Sequence, residues 1–340
     1  MKKNKGKEVI FISGVAGFLG SHIADHFIAN GHKVIGCDNL LGGYLDNVNP
    51  KVKFHKCDLT DFKSVVKITK SADIVFHCAA TAYEGLSVFS PYLVTKNIVD
   101  ASVSLITASV INKVQRFINY SSMARYGKQK PPFTEDMTPK PEDPYGIGKY
   151  AVELFLKNIA ETHGMEWVNI IPHNIIGPRQ KYDDPYRNVA SIMINLMLQG
   201  RQPIIYGDGQ QKRCFSFVND VNSLLDKLAF SKQVAGESIN IGPDDEFVTI
   251  NELAKTIAKL LDFSLKPVHY DPRPKEVKLA NCSANKARKL LCYKTEYTLE
   301  EGLQQIIDYI KEKGVRPFKY HLDLEIKTEK TPKTWTKKLF

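Results

Sequence analysis

The chain has 340 residues, of which 43% are hydrophobic and 25% are charged. This composition is typical of a folded globular protein and excludes fibrous and intrinsically disordered classes. The formal net charge of +10 favours anionic partners, although it does not show that the charges form one patch. The six cysteines are scattered without a C-x-x-C pair, so we expect a reducing, cytoplasmic environment and neither a disulfide framework nor a zinc ribbon. Only residues 9–12 form an apolar stretch near the start, and no later stretch approaches 18 uncharged apolar residues, so no secretion signal or membrane span is predicted.

The first half of the chain alternates short apolar runs with longer segments of helical periodicity. Two long amphipathic helices are predicted at 93–110 and 145–162. Alternation of this kind predicts a parallel sheet with helices on both faces, the doubly wound α/β architecture. The predicted strands are residues 9–12, 33–37, 52–55, 74–77, 116–120 and 167–171, with a loop at 38–50.

After Gly177-Pro178 the order of elements becomes mixed. Helices are predicted at 187–199, 221–230, 249–261, 284–291 and 299–311, and strands at 203–206, 214–218 and 238–241. We therefore expect a Rossmann-type nucleotide-binding domain over residues 1–175 and a smaller mixed α/β substrate-binding part over 176–325. Residues 326–340 are lysine-rich and are predicted to form a basic surface tail.

A glycine-rich turn follows the first predicted strand and opens a helix. Gly14, Gly17 and Gly20 stand in the pattern G-x-x-G-x-x-G. The first glycine permits the tight turn, the second lets backbone N–H groups approach a pyrophosphate, and the third lets helix and strand pack closely. The positive end of the helix dipole also favours an anion here. In this context the turn predicts a dinucleotide-binding site, which a glycine triplet alone would not establish.

Acidic residues at the ends of the next two strands strengthen this prediction. Asp38 follows Gly20 by eighteen residues, where its carboxylate can accept hydrogen bonds from both ribose hydroxyls. Because an acid at this position repels a 2′-phosphate, the cofactor is predicted to be NAD rather than NADP. Asp58 ends the third strand and is predicted to contact the adenine.

A possible metal motif overlaps the first helix. The segment His22-Ile-Ala-Asp25-His26 nearly matches the H-x-x-E-H arrangement of some zinc enzymes. It lacks the glutamate, and no third ligand is evident in the sequence. We therefore predict surface or helix-packing histidines and no metal site.

A tyrosine and a lysine open the second long helix. Tyr145 and Lys149 are four residues apart and therefore share one helix face. A neighbouring ammonium, and a positively charged nicotinamide, favour the phenolate and should lower the pKa of the tyrosine, which would make it a better base. Ser121 and Ser122 end the fifth predicted strand, at the sheet edge where ligands bind in open α/β folds.

Together these residues resemble those of the extended short-chain dehydrogenase/reductases, specifically the NAD-dependent nucleotide-sugar epimerases and dehydratases. The resemblance extends over about residues 8–315. The motifs that carry it are Gly14-x-x-Gly17-x-x-Gly20, Asp38, Asp58-Leu59, His77-Cys-Ala-Ala80, Asn97, Ser121-Ser122-x-x-x-Tyr126-Gly127, Tyr145-x-x-x-Lys149, Asn174-x-x-Gly177-Pro178-Arg179, Gly207-Asp-Gly209 with Arg213, and Arg273-Pro274.

The resemblance implies a role for each matching residue. Tyr145 would be the catalytic base, Lys149 would also hold the nicotinamide ribose, and Ser122 would hydrogen-bond the reacting hydroxyl. Asn174, Asn188, Arg213 and Arg273 match positions that grip the diphosphate of a nucleotide sugar, a role that suits the guanidinium fork. Contacts to NAD are implied at Gly14, Gly17, Phe18, Leu19, Gly20, Asp38, Asn39, Asp58, Leu59, Ala79, Ala80, Asn97, Tyr145 and Lys149.

The residues after Ser122 distinguish among the reactions of the family. Its dehydratases carry Asp-Glu directly after the Ser or Thr, whereas this chain has Met123-Ala124. Neither side chain can move a proton, which disfavours the 4,6-dehydratases and the sugar-acid decarboxylases. The fucose-synthase type would have a cysteine in this segment, and none is present. We therefore predict a 4-epimerase that oxidises a sugar hydroxyl, most often at C4, and returns hydride to the opposite face.

Two alternatives remain open. The chain could be another NAD-dependent oxidoreductase or epimerase that acts at a different carbon of a nucleotide-linked sugar. Some proteins of this fold bind RNA and have lost the catalytic residues, and the net charge of +10 would suit that role. The presence of Ser122, Tyr145 and Lys149 argues against it, so no nucleic-acid partner is predicted. UDP is favoured as the nucleotide because it is the commonest among the family's 4-epimerases.

The resemblance also bears on substrate size and assembly. In family epimerases the residue seven positions after the arginine that matches Arg273 lies near the C2 substituent of the sugar. This residue is Ala280, which implies room for 2-acetamido sugars. Ser283 and Asp100 depart from the family pattern and leave the local geometry open. A homodimer is implied, in which the helices at 93–110 and 145–162 pair with their copies.

Overall fold

The computed structural model describes residues 7–340, and the lysine-rich start of the predicted first domain, residues 1–6, lies outside them. Fourteen strands are found in the described part. They are β1 (Val9–Ser13), β2 (Lys33–Asp38), β3 (Lys53–Lys56), β4 (Ile74–His77), β5 (Arg116–Tyr120), β6 (Glu166–Pro172), β7 (Ile175–Ile176), β8 (Ile204–Tyr206), β9 (Lys212–Arg213), β10 (Ser216–Phe217), β11 (Glu237–Ile241), β12 (Val248–Thr249), β13 (Val268–Tyr270) and β14 (Leu279–Ala280).

Thirteen α-helices accompany these strands in residues 7–340. They are α1 (Phe18–Ala29), α2 (Phe62–Ile68), α3 (Glu84–Ser87), α4 (Pro91–Thr95), α5 (Ala101–Ile111), α6 (Pro144–His163), α7 (Val189–Leu198), α8 (Val218–Asn222), α9 (Leu225–Phe230), α10 (Ile250–Leu261), α11 (Asn285–Leu291), α12 (Leu299–Lys313) and α13 (Lys333–Thr336). A π-helical turn over Lys96–Asp100 joins α4 to α5, so the predicted helix at 93–110 continues through it.

The central sheet has seven parallel strands in the order β11-β6-β5-β4-β1-β2-β3. This order reverses direction between β1 and β4, which makes their carboxyl ends the topological switch point where open α/β sheets bind ligands. Nearly every residue of β1 and β4 is buried, as expected for strands covered by helices on both faces. The predicted Rossmann-type fold is confirmed.

The second half of the chain contributes to the same core as the first. Strand β11 pairs with β6, with Ile239 opposite Ile170, and one continuous apolar cluster joins β1, α1, α7, α10 and α12. Three small sheets, β10-β7, β12-β9-β14 and β13-β8, lie outside the central sheet. The residues after the predicted division near residue 175 therefore complete the central sheet and share its core.

The last residues differ from the predicted surface tail. The lysines at the end of the chain are mostly exposed, but Thr334 and Trp335 are buried with relative exposures of 0% and 4%. Trp335 packs against Tyr186 and Phe89, with ring centroids 5.4 and 6.0 Å apart. A tail would leave these apolar rings in water, whereas here they fill an aromatic cluster. The prediction of a surface tail is wrong for this part of the segment.

One helical stretch, residues 91–111, is long and apolar enough to cross a membrane when judged by length and composition alone. It contains Lys96 and Asp100, and its α5 portion packs against α2 and α6. Ala101, Leu105 and Ile106 are buried in the apolar cluster beneath the sheet. These contacts are those of a helix that covers one face of a central sheet.

Candidate active site

A cavity of about 450 Å³ opens at the carboxyl ends of β1 and β4 and extends into the substrate half. This size and this position at the switch point are those of a small-molecule site. Every residue predicted for the cofactor, the diphosphate and the catalytic step lines it. Ala280, which was predicted to lie near the C2 substituent of the sugar, does not line it.

The glycine turn brings backbone atoms into contact that side chains would keep apart. Gly14 has a φ of +73°, a conformation that L side chains rarely adopt. A Cβ atom on Gly20 would lie 2.2 Å from the Gly14 carbonyl oxygen, and one on Gly14 would lie 2.8 Å from the Ala79 nitrogen. The amino end of α1 is thereby held against β1 and opens into the cavity. These residues fit the pyrophosphate of a dinucleotide.

Asp38 lies at the end of β2 and supports this turn. Its Oδ2 accepts a hydrogen bond from the Ala16 N–H at 3.0 Å, and its Oδ1 accepts one from the Leu40 N–H at 2.7 Å. Burial raises the pKa of this carboxyl, while the two backbone donors oppose that rise. The remaining lone pairs of the carboxylate can accept from ribose hydroxyls. Asn39, also predicted to contact NAD, donates to Asp58 at 3.2 Å, which places Asn39 beside the residue predicted to contact the adenine.

Helix α6 begins at Pro144, directly before Tyr145. Asp143 caps the helix by accepting from the Gly146 N–H at 2.9 Å, and Pro144 occupies the first turn. Tyr145 is therefore the first residue after that proline and lies at the rim of the cavity. Burial raises the pKa of Tyr145 to about 12, and a hydrogen bond with Ser122 opposes that rise. The predicted pair of base and hydroxyl is brought together.

The Nζ of Lys149 donates to the Tyr120 carbonyl oxygen at 2.7 Å. The largest influences on the pKa of Tyr145 are burial, the Ser122 hydroxyl and the charges of Glu84, Asp143 and Arg187. Burial lowers the pKa of Lys149 itself to about 8. The expected lowering of the tyrosine pKa is thus not met in the protein alone, because desolvation of the phenol outweighs its charged neighbours.

A buried ion pair, which no motif in the sequence indicates, holds the loop that carries the serine. Arg125 donates to Glu153 at 2.6 Å, with both side chains less than a tenth exposed. Ser121 donates to the other oxygen of Glu153. Since Glu153 lies on α6 two turns beyond Tyr145, the pair locks the end of β5 to the helix that bears the base. This contact determines the position of Ser122.

The two predicted arginines lie in the substrate half of the cavity. Arg213 donates to the Val277 carbonyl at 2.6 Å and to the Lys212 carbonyl at 2.8 Å. Arg273 lies over the ring of Tyr206 at 4.9 Å and donates to Glu276 at 2.6 Å. The Nε of Arg273 is buried and has no protein partner. These guanidinium groups fit an anionic ligand such as a diphosphate.

The two predicted asparagines are also tied to the backbone around the cavity. Asn174 donates to the Cys214 carbonyl at 2.9 Å. Asn188 caps α7 by accepting from the Ala190 N–H at 2.9 Å, which leaves its amide NH₂ available. Both residues line the cavity between the catalytic and the arginine-bearing ends.

Ala280 is not brought to the cavity. It lies on β14 opposite Arg213 of β9 and is 7% exposed, within a cluster of buried residues that includes Tyr126, Phe133 and Cys282. The apolar cluster that holds Ala280 also contacts Met123, the residue after Ser122. That Ala280 leaves room for an acetamido group stays a prediction.

Two of the charged residues that line the cavity without having been predicted act directly on Tyr145. Arg187 lies over the ring of Tyr83 at 4.7 Å and acts on Tyr145 by lowering its pKa. Glu84 lines the same end and acts in the opposite direction. Arg187 directly precedes the predicted Asn188, which is the one signal that could have found it. Glu84 stands in the stretch between the fourth strand and Asn97, where no motif marks it.

The two histidines of α1 bond to other parts of the protein. His22 bonds to the Pro178 carbonyl oxygen at 3.1 Å, and His26 bonds to Asp226 at 2.9 Å. In residues 7–340, no group of three or more His, Cys, Asp or Glu side chains is arranged to hold a metal ion.

His77 ends β4 beneath the cavity and gives the protein a predicted acid sensitivity. Its ring nitrogens bond to Ser13 and Ser102, each at 2.7 Å, and burial lowers its pKa to about 3. Between pH 6.5 and 3 the imidazole of His77 is protonated in the unfolded chain but neutral in the folded protein. The free energy of unfolding therefore falls as the pH falls through this window, by about 1.4 kcal/mol per pH unit. Urea unfolding at pH 7.5, 6.5 and 5.5 should show a shallower decline for His77→Gln than for the wild type. Equal declines would mean that His77 does not carry this sensitivity.

Comparison with known proteins bears directly on this site. The sequence profile of the NAD dependent epimerase/dehydratase family matches residues 10–242, a span that contains the glycine turn and the serine, tyrosine and lysine of the cavity. The chain belongs to this family. The predicted membership, the Rossmann-type fold and the dependence on NAD are thereby confirmed.

Members of the family with names and solved structures resemble the chain over most of its length. A putative UDP-glucose 4-epimerase of Methanocaldococcus jannaschii is 32% identical over 314 residues, covering 89% of this chain and 98% of its own. The structure of UDP-glucose 4-epimerase from Thermotoga maritima with UDP-glucose has a TM-score of 0.85 at 31% identity and covers 90% of this chain and 99% of its own. The structure of a UDP-N-acetylglucosamine 4-epimerase from Methanobrevibacter ruminantium, in complex with UDP-N-acetylmuramic acid, has a TM-score of 0.84 at 32% identity. It covers 92% of this chain and 100% of its own.

Proposed function

We propose that this protein is a nucleotide-sugar 4-epimerase that acts on a UDP-sugar with bound NAD. The observation that carries the proposal is the composition of the reacting end of the cavity. Tyr145 and Ser122 are hydrogen-bonded there, and Met123 and Ala124 follow the serine. This set can remove and return one hydroxyl proton, but it offers no acid and base pair in the position that dehydratases use. The named 4-epimerases that resemble the chain support the same reaction.

The chain's own residues would move the proton and hold the substrate. Tyr145 takes the proton of the sugar hydroxyl, while Ser122 donates a hydrogen bond that fixes the orientation of that hydroxyl. The glycine turn and Asp38 would hold NAD, which when bound would supply the hydride chemistry at the sugar carbon. Lys149, held by the Tyr120 carbonyl, can contact the ribose next to the tyrosine. Arg213 and Arg273 bind the diphosphate and keep the keto sugar in the cavity while it turns.

The charges around Tyr145 indicate which sugars fit. Glu84 and Asp143 raise the pKa of Tyr145 and Arg187 lowers it, and the Lys149 ammonium lies at the same end, so two carboxylates and two cationic groups surround the reacting end. Arg187 is itself 3.6 Å from Asp184. The charges at this end are thus already balanced, and a sugar that carries its own carboxylate would add an unpaired negative charge. We therefore propose a neutral hexose or acetamido hexose in preference to a uronic acid.

A substrate panel tests the proposal. The purified protein would be incubated, without added NAD, with UDP-glucose, UDP-N-acetylglucosamine or UDP-glucuronate, and the products identified by NMR. We expect inversion at C4 of a neutral sugar, no net change in absorbance at the NADH wavelength, and slower conversion of the uronate. Net reduction of added NAD, or inversion at another carbon, would instead establish the alternative reaction. Loss of water from the sugar would contradict the role given to Met123 and Ala124.

We further propose that the protein is a cytoplasmic homodimer. The outer faces of α5 and α6 carry exposed apolar side chains, namely Ile111, Leu154 and Phe155. Two copies paired through these helices would bury them in an isologous four-helix contact. The six cysteines, none of which is disulfide-bonded, suit a reducing compartment. A monomer mass in analytical ultracentrifugation at micromolar concentration would contradict the dimer.

A further inference from the structure

The C-terminal strap, which we define as residues 315–340, reaches the cavity and is bonded to several elements on the way. It leaves the end of α12 and meets the loop before α7, where the Lys319 N–H donates to the Asp183 carbonyl at 2.8 Å. It then reaches the start of α4, where Glu325 accepts from the backbone N–H groups of Tyr92 and Leu93 at 2.9 and 2.8 Å. Arg201 finally donates to the Leu339 carbonyl at 2.9 Å. The strap is thus held by the loop before α7, by α4 and by the segment after α7.

The end of the strap forms part of the cavity wall. Trp335 and Phe340 line it together with Ile192, Ile204 and Tyr206. The hydroxyl of Tyr206 bonds to Thr334, at 2.5 Å, and the ring of Tyr206 lies beneath Arg273. The strap therefore contacts Tyr206, whose ring packs against Arg273, a residue proposed to bind the diphosphate.

The indole of Trp335 carries a polar group without a partner. Its Nε1 is buried and makes no hydrogen bond within the protein. A buried N–H that lacks an acceptor costs about 1–3 kcal/mol, so such a group in a cavity wall suggests an acceptor supplied by a ligand.

The strap also distinguishes this chain from the relatives. Their alignments include nearly all of each relative but only 89–92% of this chain. The family match begins at residue 10, which leaves room for few of the excess residues on the amino-terminal side. Most of the excess therefore falls toward the other end, where the strap lies.

We propose that Trp335 is a specificity residue that binds the base of the nucleotide substrate. The reacting end of the cavity is polar and charged, whereas the strap end is aromatic and aliphatic. Within a nucleotide sugar, the base is the flat group with an apolar face, and aromatic side chains stack on such faces. The indole N–H would donate to a carbonyl oxygen of the base. This assignment rests on the proposed function, because it takes the ligand to be a nucleoside diphosphate sugar.

Tryptophan fluorescence tests this proposal without requiring turnover. The chain has two tryptophans, and Trp167 lies on β6 in the apolar cluster with Phe117 and Met165, outside the cavity lining. UDP, added to the NAD-loaded protein, should change the emission of the wild type and of Trp167→Phe, which retains an unaltered strap. The same addition should leave Trp335→Phe unchanged. By calorimetry, Trp335→Ala should weaken UDP binding about tenfold or more, with its NAD content intact.

The outcomes separate the two proposals. UDP that binds by calorimetry without changing the emission of Trp167→Phe would overturn the role of Trp335 and leave the proposed function standing. A response to UDP-glucose but not to UDP would show that the strap contacts the sugar, and would likewise overturn the assignment to the base. If UDP, dTDP and GDP all fail to bind, the proposed function fails, and the assignment fails with it.

Discussion

The Tyr145→Phe variant should lose at least about 100-fold in kcat while it keeps its fold and its bound NAD. General acid–base catalysis by a placed side chain contributes about 10²–10⁴-fold, and the substitution removes only the phenolic oxygen. The ring stays in its place at the start of α6, and the glycine turn and Asp38 are untouched. The measurements are steady-state rates on the accepted UDP-sugar and the nucleotide released on denaturation.

A second tyrosine on the same helix provides the matched control. Tyr150 lies beside Arg125, 5.2 Å from its guanidinium carbon to the ring centroid, and does not line the cavity. Tyr150→Phe should therefore keep nearly the full rate. Retention of more than a few per cent of activity by Tyr145→Phe would assign the base to another residue.

The Gly20→Ala variant should lose bound NAD altogether and unfold more readily. The added Cβ would lie 2.2 Å from the Gly14 carbonyl oxygen and 2.9 Å from the Val15 Cα, and both are backbone atoms that a side-chain movement cannot clear. The amino end of α1 has to move away from β1, which destroys the anion-binding turn. The measurements are the NAD content of the purified protein and its urea midpoint.

Gly164→Ala separates loss of the cofactor from loss of stability. Gly164 ends α6 with a φ of +72°, and a Cβ there would meet no atom within 4 Å. Its replacement should cost about 1 kcal/mol through the left-handed backbone alone and leave the NAD content unchanged. If Gly20→Ala retained stoichiometric NAD, the glycine turn would not be the cofactor site.

The sheet and the cofactor half were predictable because their signals are local. A buried parallel strand needs a short β-branched run, and the observed bounds of β1, β4 and β5 lie within one residue of those predicted. Gly14 and Asp38 each stand directly at a strand end, where the local backbone decides what they can contact. Their contacts could therefore be anticipated from spacing.

The residues that could not be predicted depend on contacts between distant parts of the chain. Ala280 was placed by counting from Arg273, but the pairing of β14 with β9 decides where it lies. Arg187 and Glu84 meet at Tyr145 only after the fold is complete. The last part of the strap, residues 326–340, is lysine-rich, so composition indicated an exposed tail. Its aromatic residues were the only signal to the contrary.

The transfer of hydride within one active site is the central claim, and an isotope measures it directly. The accepted UDP-sugar would carry deuterium on C4 and would be epimerised in ordinary water without added NAD. Because the glycine turn holds the cofactor throughout and Tyr145 moves only the hydroxyl proton, we predict that the product retains the deuterium on C4. Replacement of that deuterium by solvent hydrogen would contradict the account, since it would show that the carbon exchanges a proton with water rather than a hydride within the site.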